Sequence, residues 1–277
     1  MEQLASIDAV RRYRKAVSGS LGFVPTMGAL HEGHAVLIRR STAENDATVV
    51  SIFVNPTQFG PGEDLHKYPR TLEADLELCA REGAAAVFTP NSAMMYPAGF
   101  TTWVNVDGLA DKLCGRSRQN HFRGVCTVVA KLFNLVAPTR AYFGQKDAQQ
   151  AIVLTRMARD LDMPLEVITC PTVRETDGLA LSSRNRYLDP RNRQRARSIY
   201  KALQAAETGL AAGETDVATL KRACWAELDG NVDRVDYVEI LAADDLGALE
   251  AVDKPALCAI AAFVGSTRLI DNVILAP

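Results

Sequence analysis

The first 170 residues alternate short apolar runs with amphipathic stretches. Runs rich in β-branched and aromatic residues predict buried strands at residues 21–24, 47–54, 84–88, 141–144 and 164–168. Helical patterns lie between these runs, at residues 35–44, 71–81, 125–136 and 148–161. Strands that alternate with helices in this way predict an α/β fold built on a parallel sheet.

The pattern changes after about residue 172. Two polar helices are predicted at residues 189–211 and 216–228, followed by strand-like runs at residues 235–241, 256–264 and 267–275. We therefore predict a Rossmann-like parallel-sheet domain over residues 1–172 and a smaller α+β domain over residues 173–277. A chain of 277 residues is long enough for two such domains.

Composition and charge narrow the classes of function. The net charge of −2 gives no electrostatic reason to expect nucleic acid as a partner. The longest apolar stretches are far shorter than the roughly 20 residues that span a bilayer, and no apolar signal region opens the chain. The six cysteines form no Cys-x-x-Cys pair. We expect a cytoplasmic protein with reduced core thiols that acts on small molecules.

The most informative segment directly follows the first predicted strand and reads Pro25-Thr26-Met27-Gly28-Ala29-Leu30-His31-Glu32-Gly33-His34. Ligands bind at this edge of an open α/β sheet. Gly28 and Gly33 let the backbone approach a ligand, and the start of the next helix favours an anion such as phosphate. The two glycines have the spacing of a P-loop, but His34 and Ala35 stand where that motif needs Lys and Ser or Thr, which excludes a Walker site.

The histidine pair of this segment admits three interpretations. His31 and His34 could be two ligands of a metal ion, although no third histidine or cysteine nearby completes the set. They could also be solvated loop side chains. The interpretation that we favour is that their imidazoles donate to phosphate oxygens, stabilising the transition state when a carboxylate attacks the α-phosphorus of ATP.

A second polar segment follows the fourth predicted strand and reads Phe143-Gly144-Gln145-Lys146-Asp147-Ala148-Gln149-Gln150. The ammonium group of Lys146 can neutralise phosphate charge. Asp147 can cap the next helix, which also explains it without a functional role. Gln150 offers a donor and an acceptor to a polar substrate, or is an ordinary solvated helix side chain.

Two further segments complete the candidate site. Ser182, Ser183 and Arg184 can bind the β and γ phosphates through charge-assisted hydrogen bonds, although a surface loop is the more ordinary interpretation of this segment alone. The second predicted strand leads to Asn55 and Gln58, whose amides can bind a hydroxyl and a carboxylate. Residues 60–64 come next and are turn-forming, so we expect a mobile wall beside the site.

Taken together, these segments resemble the motifs of the pantothenate synthetase family, a branch of the nucleotidyltransferase superfamily with the HxGH signature. The resemblance extends over residues 22–188, and its most specific strings are residues 25–34 and Ser182-Ser183-Arg184-Asn185-Arg186-Tyr187-Leu188. It implies ATP-dependent ligation of (R)-pantoate and β-alanine to pantothenate through a pantoyl adenylate, with release of AMP and pyrophosphate. Such a reaction is a step of pantothenate and coenzyme A biosynthesis.

The same resemblance implies roles for individual residues. The implied catalytic residues are His34, His31, Lys146 and Arg184. The implied contacts of ATP are Met27, Gly28, His31, His34, Gly144, Gln145, Lys146, Asp147, Val173, Leu181, Ser182, Ser183 and Arg184. The implied contacts of pantoate and β-alanine are Pro25, Met27, Gln58 and Gln150. The resemblance further implies a homodimer, a carboxyl-terminal lid over the nucleotide, and Mg²⁺ that arrives with ATP without a metal site of the protein's own.

The chain departs from the family pattern at a few positions. Gln119 and Asn120 stand where Pro-Gly is frequent, Gln145 where Glu is common, and Leu181 where Met is frequent. These departures concern loop conformation and substrate affinity. Two other functions remain compatible with the sequence: a nucleotidyltransferase that passes AMP or CMP to a phosphate acceptor, and a module that binds ATP or a metal without turnover.

Overall fold

The computed structural model describes residues 1–60, 63 and 65–277, and the chain forms two compact units. The first consists of Met1–Asp111, Gly115–Gly144 and Gln149–Pro171, and the second of Lys112–Cys114, Gln145–Ala148 and Thr172–Pro277. The segments at 112–114 and 145–148 therefore group with the carboxyl-terminal part of the chain. A single boundary near residue 172 does not anticipate this.

Within the described residues, the first unit contains a six-stranded parallel sheet. Its strands are β1 (Glu2–Leu4), β2 (Leu21–Thr26), β3 (Ala47–Ile52), β4 (Ala86–Phe88), β5 (Arg140–Gly144) and β6 (Glu166–Cys170). Their order is β1-β4-β3-β2-β5-β6. From β2 the chain adds β3 and β4 on one side and then returns to add β5 and β6 on the other side, so the order reverses between β2 and β5. The predicted α/β class is confirmed. Ligands bind at such a point of reversal, beyond the carboxyl ends of the strands.

The helices up to residue 171 are α1 (Ile7–Ala16), α2 (Glu32–Glu44), α3 (Leu72–Arg81), α4 (Ser92–Met95), α5 (Cys114–Ser117), α6 (His121–Val136) and α7 (Ala148–Asp160). The sequence analysis did not predict β1, which has three residues and buries only Leu4, or α1, whose composition is strongly polar and which buries only Val10. Helix α2 begins three residues before its predicted start, since His31 caps it. Helix α6 begins four residues early, after Asn120 in a left-handed conformation.

The second unit contains a three-stranded antiparallel sheet of β7 (Arg234–Ala242), β8 (Ala256–Val264) and β9 (Thr267–Leu275), in that order, in the part of the chain that the structure describes. Helices α8 (Pro190–Ala211) and α9 (Val217–Leu228) pack with it. Apolar side chains from both helices and the sheet, among them Leu203, Leu220 and Ile260, form its core. The predicted α+β class is confirmed, and these elements agree with the prediction to within one residue at each end.

The structure tests some of the other expectations, namely those on the cysteines and on membrane-spanning helices. All six cysteines are buried and none forms a disulfide, as predicted. Burial raises the pKa of the Cys79 and Cys126 thiols to about 12. Among the described residues, no helix combines the length and apolar character needed to cross a bilayer. The predicted mobile wall at residues 60–64 includes Pro61, Gly62 and Asp64, which lie outside the described residues, so it stays a prediction.

A glycine inside β2 lets a helix pack closely against the sheet. A Cβ atom at Gly22 would lie 2.0 Å from Ser41 Oγ and 2.8 Å from Asn45 Nδ2, both on or at the end of α2. Glycine within a strand often marks such an approach. Ser41 Oγ is in turn hydrogen-bonded to Thr48 Oγ1 of β3 at 2.8 Å, so the hydroxyl cannot move without cost. This packing fixes α2, and with it the loop that precedes α2.

We expect Gly22→Ala to lower the free energy of unfolding by about 1–3 kcal/mol, because the added methyl group overpacks this contact. Chemical denaturation of the two proteins measures the difference. Ser41→Ala removes the nearest obstructing atom, so the double variant should lose less stability than the two single losses added together. Strict additivity would contradict the close approach of α2 and β2.

Candidate active site

The loop after β2 is held in place by a buried carboxylate. Asp75, on α3, has 2% of its surface exposed. Its Oδ2 accepts a hydrogen bond from the backbone N–H of Ala29 at 3.0 Å, and its Oδ1 accepts one from the N–H of Leu30 at 2.8 Å. Thr71 Oγ1 donates to Oδ1 as well, at 3.1 Å. Hydrogen bonds to a charged group are stronger than neutral ones, so the loop backbone is firmly fixed.

Glycine is required at position 28 of this loop. Its φ of +83° lies in the left-handed region, which disfavours residues with a side chain. A Cβ atom there would also lie 3.0 Å from Asp75 Oδ2 and 3.2 Å from Ile52 Cγ2. The predicted close approach at Gly28 therefore serves first to let the loop reach Asp75.

The two histidines of the loop form the cap of α2. His31 Nδ1 accepts from the N–H of Gly33 at 3.2 Å, and His34 Nδ1 accepts from the N–H of His31 at 3.3 Å. The two rings are tilted at an angle of 44°, with centroids 4.2 Å apart. A nitrogen that accepts an N–H carries no proton, so each neutral ring bears its proton on Nε2. Both imidazoles are thus arranged to donate from Nε2.

Gln58 lies in a short turn after β3 and is anchored by a buried neighbour. The turn spans Pro56–Gln58, and Gln58 is 8% exposed. Asn55 Nδ2 donates to Gln58 Oε1 at 3.1 Å and to the carbonyl oxygen of Gly124 at 3.2 Å. Gln58 Nε2 donates to Met27 Sδ at 3.0 Å. The structure thus brings together two of the residues that the sequence assigned to pantoate and β-alanine, Met27 and Gln58.

A cluster of charged and polar side chains holds the backbone of Gln58. His121 Nδ1 donates to the carbonyl oxygen of Gln58 at 2.8 Å, and Arg118 Nη1 donates to His121 Nε2 at 3.0 Å. Because guanidinium only donates and a carbonyl only accepts, His121 is the neutral tautomer with its proton on Nδ1. Arg118 also makes two hydrogen bonds of 2.7 Å to the carboxylate of Glu63.

The remaining predicted residues of the first unit lie on neighbouring elements. Pro25 is the penultimate residue of β2, and Gly144 ends β5, the strand beside β2. Gln150 lies in the first turn of α7 and is half-buried. Gln149, next to it, donates from Nε2 to the carbonyl oxygen of Leu109 at 2.9 Å. All belong to the sheet edge at which the order of strands reverses, or to the helix that follows.

In the second unit, Gln145–Asp147 forms a single 3₁₀ turn that leads into α7. The side chain of Lys146 is largely buried, and its Nζ lies 3.7 Å from Asp147 Oδ1. Asn272 of β9 donates from Nδ2 to the carbonyl oxygens of Gln145, at 2.9 Å, and of Lys146, at 3.0 Å. The predicted phosphate-binding lysine therefore stands on a turn that the last strand of the chain supports.

The serine-arginine segment folds back beside residue 173. The N–H of Leu181 donates to the carbonyl oxygen of Val173 at 2.9 Å, so these two predicted residues are neighbours. Ser182 Oγ caps the 3₁₀ turn Ser183–Tyr187 by accepting from the N–H of Arg184 at 3.3 Å. The buried Asn185 donates to Glu175 Oε1 at 2.7 Å. The five predicted residues Val173, Leu181, Ser182, Ser183 and Arg184 thus belong to one compact loop of the second unit.

Sequence reasoning missed the residues that fix these loops. Asp75 had a detectable signal: it lies on the face of the predicted helix that carries Leu76 and Cys79, where a carboxylate is out of place. Arg118 and His121 stood within a segment noted only for its departures, and Asn272 stood outside every motif. None of the last three offered a signal in the sequence, because each acts through a contact with a residue distant along the chain.

Comparisons with known proteins agree with one another. The family model described as Pantoate-beta-alanine ligase matches residues 1–274. The chain is 55% identical to a pantothenate synthetase of Moorella thermoacetica over 279 residues, covering 99% of each chain. It is 59% identical to a pantothenate synthetase of Acidobacterium capsulatum, covering 92% of this chain and 86% of the relative.

Solved structures give the same picture. A crystal structure of pantothenate synthetase from Thermus thermophilus is similar with a TM-score of 0.94 and 46% identity, covering 100% of both chains. A crystal structure of pantoate-beta-alanine ligase from Francisella tularensis, complexed with beta-gamma ATP and beta-alanine, is similar with a TM-score of 0.81 and 32% identity. The match covers 99% of this chain and 97% of the Francisella tularensis chain.

The pair of Glu63 and Arg118 predicts a pH dependence of stability. Burial raises the pKa of Glu63, but the hydrogen bonds and the positive charge of Arg118, together with smaller contributions from the Gly60 backbone and His121, outweigh burial and hold this pKa below its ordinary value of 4.5. A depressed pKa means that the pair stabilises the folded state fully at pH values above the ordinary pKa of the carboxyl group. This contribution is lost as the pH falls through the lowered pKa. We expect Glu63→Gln to cost about 1 kcal/mol of unfolding free energy near neutral pH.

Unfolding by denaturant at several pH values, from about 3 to about 7, measures this difference. The loss caused by Glu63→Gln should shrink towards zero at the acid end. Glu77→Gln is the matched control, because Glu77 is exposed on α3, and it should cost little at any pH. A loss for Glu63→Gln that does not change with pH would contradict the pairing.

Proposed function

The chain belongs to the pantoate–β-alanine ligase family, and we propose how its residues carry out the reaction of that family. It is an ATP-dependent carbon–nitrogen ligase. The carboxylate oxygen of (R)-pantoate attacks the α-phosphorus of ATP and pyrophosphate leaves. The amine of β-alanine then attacks the acyl carbon of the pantoyl adenylate, AMP leaves, and pantothenate is formed. One observation carries the proposal, namely the pair of imidazoles at the start of α2 with their Nδ1 atoms occupied by backbone N–H groups.

The imidazoles of His31 and His34 supply hydrogen bonds to phosphate. Since each Nδ1 accepts from the backbone, each Nε2 carries the proton and can donate it to an oxygen of ATP in a hydrogen bond. Donors that are fixed in advance stabilise the charge that develops on the phosphate oxygens without any reorganisation during the reaction. We assign transition-state stabilisation to His34 and contact with the phosphates to His31, and we count both as catalytic residues.

We assign the binding of ATP to two sets of residues. In the first unit we assign this role to Met27, Gly28, His31, His34 and Gly144. In the second we assign it to Gln145, Lys146, Asp147, Val173, Leu181, Ser182, Ser183 and Arg184. Lys146 and Arg184 neutralise phosphate charge and are the remaining catalytic residues, since both are cationic and both stand on short turns fixed by hydrogen bonds.

Pantoate is held by Gln58 and Gln150, with Pro25 and Met27 beside it, and β-alanine reaches the adenylate near Gln58. The amide of Gln58 is well suited to this role. Its Oε1 is occupied by Asn55, and its Nε2 donates to Met27 Sδ, which is a weak acceptor. A substrate oxygen is a stronger acceptor than sulfur, so binding exchanges a weak hydrogen bond for a better one at little cost in reorganisation.

Magnesium, assembly and location complete the proposal. Within residues 1–60, 63 and 65–277, no group of three His, Cys, Asp or Glu side chains is arranged to hold a metal ion. As the resemblance implies, we propose that Mg²⁺ enters bound to the phosphates of ATP and that Lys146 and Arg184 share the task of neutralising them. We further propose a cytoplasmic homodimer whose carboxyl-terminal unit covers the nucleotide, as the resemblance implies.

The reaction is tested by mixing the purified protein with ATP, Mg²⁺ and pantoate, with and without β-alanine, while pyrophosphate, AMP and pantothenate are followed. AMP and pantothenate should appear in equal amounts, and only when β-alanine is present. Exchange of labelled pyrophosphate into ATP should require pantoate alone. Exchange without amide formation would indicate a different amine, and no reaction in either assay would refute the assignment.

We expect His34→Ala to slow pantoate-dependent pyrophosphate exchange by about 10²- to 10³-fold, because removal of one donor to a transition-state oxygen typically has this effect. His66→Ala is the matched control. His66 is exposed on a turn and is assigned no contact with a substrate, so its removal should leave the rate within about twofold. An unchanged rate for His34→Ala would exclude this imidazole from the adenylation step.

A further inference from the structure

The last strand of the chain supports the turn that carries Lys146. Asn272 lies in β9, is 4% exposed, and is separated from Lys146 by more than one hundred positions. Its side-chain amide uses both hydrogens of Nδ2, one for the carbonyl oxygen of Gln145 at 2.9 Å and one for that of Lys146 at 3.0 Å. One side chain thus binds two successive backbone carbonyls.

These two carbonyls determine where the side chain of Lys146 leaves the backbone. The carbonyl of Gln145 belongs to the peptide plane before the Cα of Lys146, and the carbonyl of Lys146 belongs to the plane after it. Because peptide groups are planar and rigid, fixing both carbonyls fixes both planes. The Cα–Cβ bond of Lys146 then has a single direction. Asn272 therefore fixes the backbone position from which Lys146 reaches out, without touching its ammonium group.

The orientation of the amide has a cost in stability. Backbone carbonyls only accept hydrogen bonds, so Nδ2 faces the turn and Oδ1 points the other way. Asn272 Oδ1 is buried and has no hydrogen-bond partner among the described residues. A buried acceptor without a partner costs about 1–3 kcal/mol. An apolar residue at this position of β9 would avoid that cost, so the value of asparagine lies in its two donors.

The same strand also supports the second nucleotide-binding loop. Asp271, next to Asn272, accepts two hydrogen bonds from Arg174, from Nη1 at 2.5 Å and from Nη2 at 3.1 Å. Arg174 directly follows Val173, a proposed ATP contact. Adjacent residues of β9 therefore fix the backbone on which Lys146 stands and the side chain next to Val173.

We propose that Asn272 is a positioning residue for the adenylation step and acts through Lys146. This inference rests on the proposed role of Lys146 in neutralising the phosphates of ATP. Without the two hydrogen bonds the turn relaxes, and the ammonium group spends less time where the phosphates lie. Misplacement of a positioned group by about 1 Å reduces rates by as much as about 10²-fold.

The first test compares Asn272→Asp and Asn272→Ala with the wild type. Aspartate has the same shape but no donor when ionised, so a loss in this variant cannot come from a cavity. We expect kcat/KM for ATP to fall by about 10- to 100-fold in both variants, while KM for pantoate stays within about twofold. Val273→Ala is the matched control, because Val273 is the next residue of β9 and lies in the core of the second unit. It should lower the melting temperature without changing kcat/KM for ATP.

The second test asks whether Asn272 acts through the lysine. In a Lys146→Ala background, Asn272→Ala should cause no further loss of kcat/KM, since no ammonium group remains to be placed. An equal loss in both backgrounds would overturn the proposal, and so would an unchanged kcat/KM in the single variants.

The third test does not depend on activity. Amide hydrogen exchange of residues 145–148, measured by mass spectrometry, should be faster in Asn272→Ala than in the wild type and unchanged in Val273→Ala. Unchanged exchange in Asn272→Ala would show that the turn does not need the asparagine, which overturns the inference. A wild-type enzyme that consumes no ATP with pantoate would instead refute the proposed function, and the exchange rates would still decide whether Asn272 holds the turn.

Discussion

The buried carboxylate of Asp75 is the interaction on which the first unit's site depends. A loop that leaves a sheet with two successive left-handed residues, Gly28 and Ala29, has N–H groups that no strand or helix can pair. Asp75 pairs two of them in a place from which water is largely removed. The loop can then end where His31 caps α2, and the positions of both imidazoles follow. A buried carboxylate thus decides where the two imidazoles stand, to which we assign contact with ATP.

In the second unit, too, a buried polar side chain pairs the backbone groups of a turn, but it donates hydrogen bonds instead of accepting them. There the groups that need partners are carbonyl oxygens, those of Gln145 and Lys146, and the side chain that meets them is a donor, Asn272. In each unit a buried polar side chain from an element remote in sequence thus holds one of the turns that carry residues assigned to ATP. Rigid turns suit a ligase that activates its substrate by neutralising charge, since the charged groups must be in place before ATP arrives.

The sequence predicts most of the fold and the segments of the site, but not what holds them. Alternating strands and helices, and the motif after β2, follow from local patterns that one segment carries by itself. The supporting contacts do not, because Asn272 and Lys146 are partners only in the folded chain. Helix starts were misplaced for a related reason: an imidazole cap at His31 and a left-handed Asn120 are unusual beginnings of helices. β1 was missed because three residues with one buried side chain give no period to detect.

The six buried thiols have a practical consequence for spectroscopy. Burial raises the pKa of Cys79, Cys126 and Cys170, and thiols react with alkylating dyes as thiolates. Every native cysteine is buried, so a cysteine introduced at an exposed position would be the thiol that a dye reaches first. Exposed lysines such as Lys15 in the first unit and Lys201 in the second offer suitable places for the exchange. The protein can therefore carry a fluorophore on either unit in its native cysteine background.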